Sequence, residues 1–184
     1  RNITFISEKF PIFWDSADGI NVWDVDGNRF LDLTSAFAVS SLGHRNQFIT
    51  DALIRQAGKL LHGMGDVHPT ELKVELCKKI SELTYERWIG VKSKSVLSSS
   101  GSESIECALK TALLATGKEG VICFKDSYHG TSIGALATSG ISRFREPFTK
   151  QIAQFGITAP YGIKGLSEVH NIISSNNIGA IIVE

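Results

Sequence analysis

The sequence predicts an α/β fold in which a mostly parallel sheet is covered by helices. The main observation is that short apolar runs typical of buried strands alternate with helical patterns over residues 96–183. A second observation is the serine- and glycine-rich stretch SSSGSE (98–103), which stands between an apolar run and a helical pattern. A third is an aspartate–glycine pair near the start of the chain, which predicts a separate hairpin.

The hairpin is the first predicted element. Residues 22–25 and 29–33 carry alternating apolar side chains, and Asp26 and Gly27 lie between them. This pair is a strong turn signal because both residue types tolerate the positive φ angles that a tight turn requires.

The remaining elements follow from periodicity and from helix start and stop signals. A helix is predicted where apolar residues recur every three or four positions, and a buried strand where apolar residues follow one another in a short run. Residues 139–164 contain glycine and proline with mixed aromatics and are predicted to be mostly loop. On these criteria the helices span 47–61, 70–84, 101–116, 131–138 and 166–175, and the strands span 96–97, 120–124 and 179–183.

The stretch 98–103 is the first candidate for a binding site. Ser100 stands three residues before Glu103, which is the spacing of a capping box, so a helix is predicted to begin there. The free backbone N–H groups and the helix dipole would both favour an anion at this end. A capped helix that binds nothing remains the alternative at this point.

Spacing excludes two common phosphate ligands. A nucleoside triphosphate site requires a glycine–lysine–serine or glycine–lysine–threonine triplet, and a dinucleotide site requires three glycines at fixed spacing; neither is found here. What remains is a single-phosphate cradle formed by the Gly101 and Ser102 amides, with a hydroxyl of Ser100 or Ser102. Tyr128 offers an aromatic face after the next apolar run, so a phosphorylated flat ring suits the pair.

Composition excludes several other classes of protein. Nineteen basic and nineteen acidic side chains cancel, and they form no cluster of the kind that binds nucleic acids. No apolar run approaches the length of a membrane span, and no signal peptide is evident. The three cysteines lack metal-ligand spacing, which favours free thiols in a reducing compartment; we expect a cytoplasmic protein without a bound metal.

The motifs together make the chain resemble the class III branch of the pyridoxal-phosphate-dependent aminotransferases, which have fold type I. The likeness extends from Trp14 to Glu184. It rests on the hairpin VWDVDGNRFLD (22–32), the LGH turn (42–44), the SGSE turn (100–103) and the YHGT loop (128–131). Each motif alone is moderately specific, and their order and spacing match those of the family.

The resemblance implies pyridoxal 5'-phosphate as the cofactor. Gly101 and Ser102 would bind its phosphate through their amides, and Tyr128 would stack on its pyridine ring. Phe37 matches a family position that lines the substrate pocket, with a plain core aromatic as the alternative. Glu184 matches a glutamate that faces the active site, with an ordinary strand end as the alternative. The implied cofactor-binding residues are Ser100, Gly101, Ser102, Tyr128, His129, Gly130 and Glu184.

The family's chemistry needs two further residues, a Schiff-base lysine and an aspartate that keeps the pyridine nitrogen protonated. In the family both follow a glutamate like Glu184, and none of the twelve lysines here matches the family's lysine motif. We therefore expect the N-terminal half of an aminotransferase, inactive as it stands. Residues 1–45 would belong to the small domain, and residues 46–184 would be the first part of an incomplete large domain.

The resulting hypothesis is transamination between an amine or omega-amino acid and a 2-oxo acid, in a protein that forms homodimers when intact. Neither nucleic acid nor a membrane is expected as a partner. The alternatives are an aminomutase or decarboxylase of the same family, and a non-catalytic fragment that retains the fold.

Overall fold

The computed structural model describes residues 12–65, 67–152 and 154–184. The chain divides into two compact units, one up to Lys79 and one from Ile80 onwards. The predicted boundary after residue 45 stays a prediction, and the start of that predicted segment, residues 1–11, lies outside the described residues. None of the helices in the described part is both long and apolar enough to cross a membrane.

The first unit contains a three-stranded antiparallel sheet with strands β1 (Trp14–Asp18), β2 (Asn21–Asp24) and β3 (Arg29–Leu31) in that order. Strands β2 and β3 form the predicted hairpin, in which Val22 pairs with Phe30. Val22 is fully buried, and the outer strand β3 is exposed along its length.

The turn between β2 and β3 is stabilised by the Asp24 carboxylate. One of its oxygens accepts hydrogen bonds from the backbone N–H groups of Asp26 and Asn28, at 3.1 and 2.8 Å. Gly27 adopts a φ of +81°, which glycine reaches without a steric penalty. The aspartate–glycine signal therefore located this turn correctly.

Helices α1 (Gln47–Ala57) and α2 (Glu71–Leu83) follow. The side chain of Asn46 accepts hydrogen bonds from the first-turn amides of α1 and fixes its start. Helix α1 ends at Ala57 rather than at the predicted residue 61, with Gly58 as its C-cap residue. The division between the two units falls within α2.

The second unit is built on a parallel sheet. Strand β4 (Gly120–Phe124) lies between β5 (Gly156–Ala159) and β6 (Ile178–Ile181), and both neighbours run parallel to it. The middle residues of β4 are buried, as expected for a strand that was predicted from an uninterrupted apolar run. The predicted α/β class with a parallel sheet is confirmed.

Short and long helices surround this sheet. The core includes Leu136, Ala137, Phe144 and Ile152, and the last four residues of the helix that holds the first two are all buried. The helices of this unit are α3 (Tyr85–Ile89), α4 (Gly101–Thr116), α5 (Ile133–Thr138), α6 (Ser142–Arg145) and α7 (Ile163–Ser175), with a 3-10 turn at Glu146–Phe148.

Two sequence-based assignments were wrong. Residues 139–164, predicted as loop, contain α6, the 3-10 turn, β5 and the start of α7; the first three are too short to produce a periodic pattern. Val96 and Leu97 were predicted to form a strand and do not. A strand needs a neighbour that pairs with its backbone, and among the described residues none pairs with these two. Strand β1 and helix α3 were not predicted at all.

Candidate functional site

The first turn of α4 is the centre of the candidate site. Ser100 caps the helix: its hydroxyl oxygen accepts from the Glu103 N–H at 3.2 Å, while the Glu103 carboxylate accepts from the Ser99 N–H at 2.8 Å. This is the predicted capping arrangement with Ser99 as the reciprocal donor. Within the described part of the chain, no group accepts from the Gly101 and Ser102 N–H groups, so two donors point out of the positive end of the helix.

Gly101 leaves open space at this turn. A Cβ atom built on it would meet no heavy atom within 4 Å, and its φ lies outside the left-handed region. Neither packing nor backbone conformation therefore requires a glycine at this position. Close approach of a ligand to the backbone is the remaining physical reason for one.

The loop after β4 packs against the same turn. Gly130 has a φ of +120°, and a Cβ atom built on it would lie within 3 Å of Ser102. Here glycine is required both by its conformation and by the close approach of the two segments. The structure thus brings together the turn at 100–103 and the loop at 128–131, as the sequence predicted.

A chain of hydrogen bonds joins the two segments. Ser102 Oγ accepts from the Ser132 N–H at 3.0 Å and lies 2.7 Å from Ser132 Oγ, which donates to Glu106 Oε1 at 2.6 Å. The same carboxylate oxygen accepts from the N–H groups of Gly134 and Ala135, at 2.7 and 3.3 Å. Glu106 therefore holds the start of α5 against α4.

The ionisation of Glu106 follows from these contacts. Burial raises the pKa of Glu106, but the hydrogen bonds from Ser132 and from the two α5 amides, together with the nearby Lys110 charge, bring that pKa below its usual value. The carboxylate is consequently ionised at neutral pH. It is an acceptor only, and it has no proton to give.

Tyr128 lies at the exposed edge of this loop. Its side chain is 41% exposed, and the buried ring of Phe144 lies beside it with 5.3 Å between the ring centroids. The Tyr128 N–H donates to the Glu184 carboxylate, which lies just beyond β6. A supported ring with substantial exposed surface is suited to contact a flat ligand.

His129 is buried beside Tyr128. It is 9% exposed, its N–H donates to Ser139 Oγ at 3.2 Å, and its Nε2 atom has no hydrogen-bond partner among the described residues. Burial lowers the pKa of the imidazole, and the negative charge of Glu184 opposes that shift. His129 is therefore neutral at physiological pH, with one buried ring nitrogen left unsatisfied.

Phe37 belongs to the first unit, where it lies in an unusual turn. Residues 35–38 all have positive φ angles, between 50° and 65°, and none of them is a glycine. The Asp32 carboxylate holds this turn by accepting from the Thr34 and Ala36 N–H groups, at 3.0 and 2.8 Å. The Phe37 side chain is 95% exposed in this chain, and its assignment to the substrate pocket or to a core stays a prediction.

The residues of the second unit fit a phosphorylated flat ring. The two unpaired amides of α4 suit a phosphate group, because the helix dipole and the N–H groups favour a negative charge there. The open space at Gly101 admits close approach of that group, and the supported ring of Tyr128 suits an aromatic ring. The site residues Ser100, Gly101, Ser102, Tyr128, His129, Gly130 and Glu184 all belong to this one unit.

Comparison with known sequences agrees with this geometry. The profile of the family described as "Aminotransferase class-III" matches residues 5–184. The chain belongs to the class-III aminotransferase family. Pyridoxal phosphate is the cofactor of this family, and the α/β sheet of the second unit is part of the fold type I transaminase fold.

Two curated relatives show how much of such an enzyme this class-III aminotransferase chain represents. An acetylornithine aminotransferase of Methanopyrus kandleri is 32% identical over 176 residues, which are 96% of this chain and 43% of that protein. A LysW-aminoadipate semialdehyde/glutamate semialdehyde transaminase of Sulfurisphaera tokodaii is 32% identical over 167 residues, which are 91% of this chain and 41% of that protein. The chain therefore spans about two-fifths of the length of these relatives.

A solved structure gives the same proportion. The taurine:2-oxoglutarate aminotransferase from Bifidobacterium kashiwanohense, in complex with PLP and glutamate, matches with a TM-score of 0.83 at 25% sequence identity. The match covers 92% of this chain and 42% of that one. The names of these three relatives refer to different substrates.

Sequence reasoning missed Ser132 and Glu106 as members of the site. Glu106 stands four residues after Ser102, so the two share a face of α4, and this spacing was readable in the sequence. Ser132 stands two residues after Gly130, and no local pattern indicates that it meets α4. The buried support of Tyr128 by Phe144 was also missed, because α6 gave no periodic signal.

Proposed function

We propose that this chain forms the phosphate- and ring-binding part of an enzyme that transfers an amino group between an amine or omega-amino acid and a 2-oxo acid. The observation that carries the proposal is the pair of unpaired amides at Gly101 and Ser102, placed by Gly130 against the loop that bears Tyr128. The family relationship supports pyridoxal phosphate as the group bound there.

Each residue of the site has a distinct part in this proposal. The Gly101 and Ser102 N–H groups bind the phosphate, and the Ser100 hydroxyl, whose oxygen already caps the helix, has its own proton to donate. Tyr128 covers one face of the ring and keeps water from it, with Phe144 fixing the orientation of the tyrosine. When bound, pyridoxal phosphate supplies the electron sink of the reaction.

The loop itself is positioned by two further contacts. Glu184 accepts from the Tyr128 N–H and so fixes the backbone that carries the stacking ring. His129 stays neutral and buried, which makes it a residue that shapes the loop rather than one that transfers a proton. These contacts support the proposal that both residues contribute to the cofactor site by positioning the loop that carries Tyr128.

The proposal also covers the substrates and the assembly of the intact enzyme. We infer from the family that the intact enzyme is a cytoplasmic homodimer and that its donor is an amine or an omega-amino acid. Phe37, exposed in the first unit, is assigned to the substrate pocket on the same ground. The relatives' names, which include acetylornithine and taurine, span this donor class.

Substitution of Gly101 tests the site. Gly101→Val should weaken the binding of pyridoxal phosphate to the purified protein by about 100-fold or more, or roughly 3 kcal/mol, because the side chain would occupy the space at the amides. The unfolding midpoint should change little, since the new side chain meets no protein atom within 4 Å at its Cβ. Absorbance titration gives the affinity, and thermal unfolding gives the stability.

Ala108→Val is the matched control, because it places the same valine side chain at an exposed position of α4 about two turns away from Gly101. It should leave the affinity unchanged. Equal affinity in the Gly101→Val variant and the wild type would refute the assignment of the turn. Borohydride reduction of the intact enzyme with peptide mass mapping then separates an aminotransferase, in which one lysine outside these 184 residues retains the reduced cofactor, from a non-catalytic binding domain, in which none does.

A further inference from the structure

The hydroxyl group of Ser102 is hydrogen-bonded within the protein. Ser102 Oγ lies 2.7 Å from Ser132 Oγ and accepts from the Ser132 N–H at 3.0 Å. A serine hydroxyl has one proton and two lone pairs. The group that accepts the proton of each serine hydroxyl therefore decides whether the Ser102 hydroxyl can donate a hydrogen bond to a ligand.

Glu106 fixes the direction of the hydroxyl chain. Its carboxylate can only accept, so the proton between it and Ser132 must come from the Ser132 hydroxyl, at 2.6 Å. Ser132 Oγ has then given its proton and can only accept from Ser102. The Ser102 proton is directed at Ser132, and the order of donation runs from Ser102 through Ser132 to Glu106.

Two glycines make this arrangement possible. A Cβ atom on Gly130 would lie within 3 Å of Ser102, and one on Gly134 would lie within 3 Å of the Glu106 carboxylate. Two main-chain N–H groups of α5 also donate to Glu106 and hold Ser132 in register with it. The order of these hydrogen bonds is therefore fixed by the packing of α4 against α5 and not by the conformation of a single side chain.

We propose that Glu106 and Ser132 are positioning residues of the phosphate site, which orient the Ser102 hydroxyl toward Ser132 so that the phosphate receives the Ser102 amide N–H and no hydroxyl proton from this residue. The inference rests on the proposed function of the turn. It assigns Ser102 a different role from Ser100, whose hydroxyl proton is not engaged by the helix cap.

A double-mutant cycle on the purified protein tests the proposal. The quantity measured is the ratio of the Kd for pyridoxal to the Kd for pyridoxal phosphate, because this ratio isolates the phosphate contacts. Ser102→Ala and Ser132→Ala should each lower the ratio about three- to tenfold, since each breaks the same chain. The double variant should lower it no further than the stronger single variant, because the two residues act as one unit.

A matched pair at Glu106 tests the direction of donation. Glu106→Gln retains an oxygen that can accept from Ser132 and from the α5 amides, and should keep the ratio within about twofold of wild type. Glu106→Met has similar length and no strong acceptor, and should lower the ratio as Ser132→Ala does. Thr111→Ala, which removes a hydroxyl bonded only within α4, is the control and should leave the ratio unchanged.

The outcomes separate this proposal from the one on which it rests. A wild-type protein that binds pyridoxal phosphate no more tightly than pyridoxal would refute the phosphate site itself. A wild-type preference that is lost in Ser102→Ala and kept in Ser132→Ala would refute the positioning role, because the Ser102 hydroxyl would then contact the phosphate directly. Additive losses in the double variant would lead to the same rejection.

Discussion

One carboxylate holds the turn at residues 34–40 of the first unit, and another holds residues 132–135 in the loop at 128–135 of the second, over very different distances along the chain. Asp32 accepts from Thr34 and Ala36, which lie two and four residues away. Glu106 accepts from Ser132 and Gly134, which lie 26 and 28 residues away. The first carboxylate organises its own loop, and the second fastens one element of the fold to another.

The two segments also differ in which residues adopt left-handed φ angles. In the first unit four consecutive residues other than glycine adopt left-handed φ angles, each of which costs about 1 kcal/mol or more. In the second unit the one left-handed position of the loop is Gly130, which adopts it freely. Local hydrogen bonds therefore offset backbone strain in the first case, whereas the second avoids strain and depends on close packing.

The largest effect is expected from adding a methyl group at the packed glycine. Gly130→Ala should destabilise the protein by about 3 kcal/mol, because it combines an unfavourable φ with a Cβ that overlaps Ser102. Chemical denaturation gives the change in the free energy of unfolding. Affinity for pyridoxal phosphate should fall with it, since the displaced segment is the first turn of α4.

Gly27→Ala provides the comparison, because Gly27 also has a positive φ and its Cβ would meet no atom within 4 Å. It should lose only the conformational part, about 1 kcal/mol. Equal losses for the two variants would show that the contact with Ser102 contributes nothing, and the contrast drawn between packing and strain would fail.

The local carboxylate should give a smaller effect with a defined pH dependence. The hydrogen bond with His44 is the main reason that the pKa of Asp32 falls from 3.8 to about 2, with further bonds from Thr34 and Ala36. A depressed pKa means that the stabilisation is complete above pH 3.8 and is lost as the pH falls toward 2. Asp32→Asn should therefore speed exchange of the Ala36 amide hydrogen about tenfold at neutral pH, and the difference from wild type should close in that acid range.

Asp51→Asn is a suitable control, because Asp51 accepts one exposed hydrogen bond, from Gln47, in α1. It should change exchange at Ala36 at no pH. A difference between wild type and Asp32→Asn that persists at pH 2 would contradict the role given to the charged carboxylate.

The difference in sequence distance also explains what could be predicted from the sequence. Signals confined to a few neighbouring residues were read correctly: the Asp26–Gly27 turn, the cap at Ser100 and the apolar strand β4. The first two depend on interactions within about five residues, and the third is visible as an uninterrupted apolar run, although its pairing partners lie far away in the chain. The parallel sheet also followed, because the alternation of strands and helices requires crossover connections.

What was missed depends on partners far away in the chain. Ser132 is unremarkable among its neighbours, and only the fold places it between Ser102 and Glu106. The four left-handed residues at 35–38 have no local signature, because none is a glycine or an asparagine. For the same reason the apolar pair Val96–Leu97 was assigned to a strand, although hydrophobicity says nothing about which backbone would pair with it.

The smallest change in stability is expected where strain alone is removed. Phe37→Gly should stabilise the protein by about 0.5–1 kcal/mol, because glycine adopts the φ of 58° freely and the phenylalanine side chain is 95% exposed. If Phe37 lines the substrate pocket, as the family resemblance implies, the same variant should raise KM for the amino donor. Chemical denaturation and steady-state kinetics on the purified intact enzyme measure the two effects.

Ala38→Gly separates them, because Ala38 has a φ of 65° in the same turn and no aromatic side chain. It should give a similar gain in stability with an unchanged KM. Stability lost in Phe37→Gly and gained in Ala38→Gly would show that the phenylalanine ring is buried against a partner in solution. Packing would then offset the strain at Phe37, and both segments would depend on close packing.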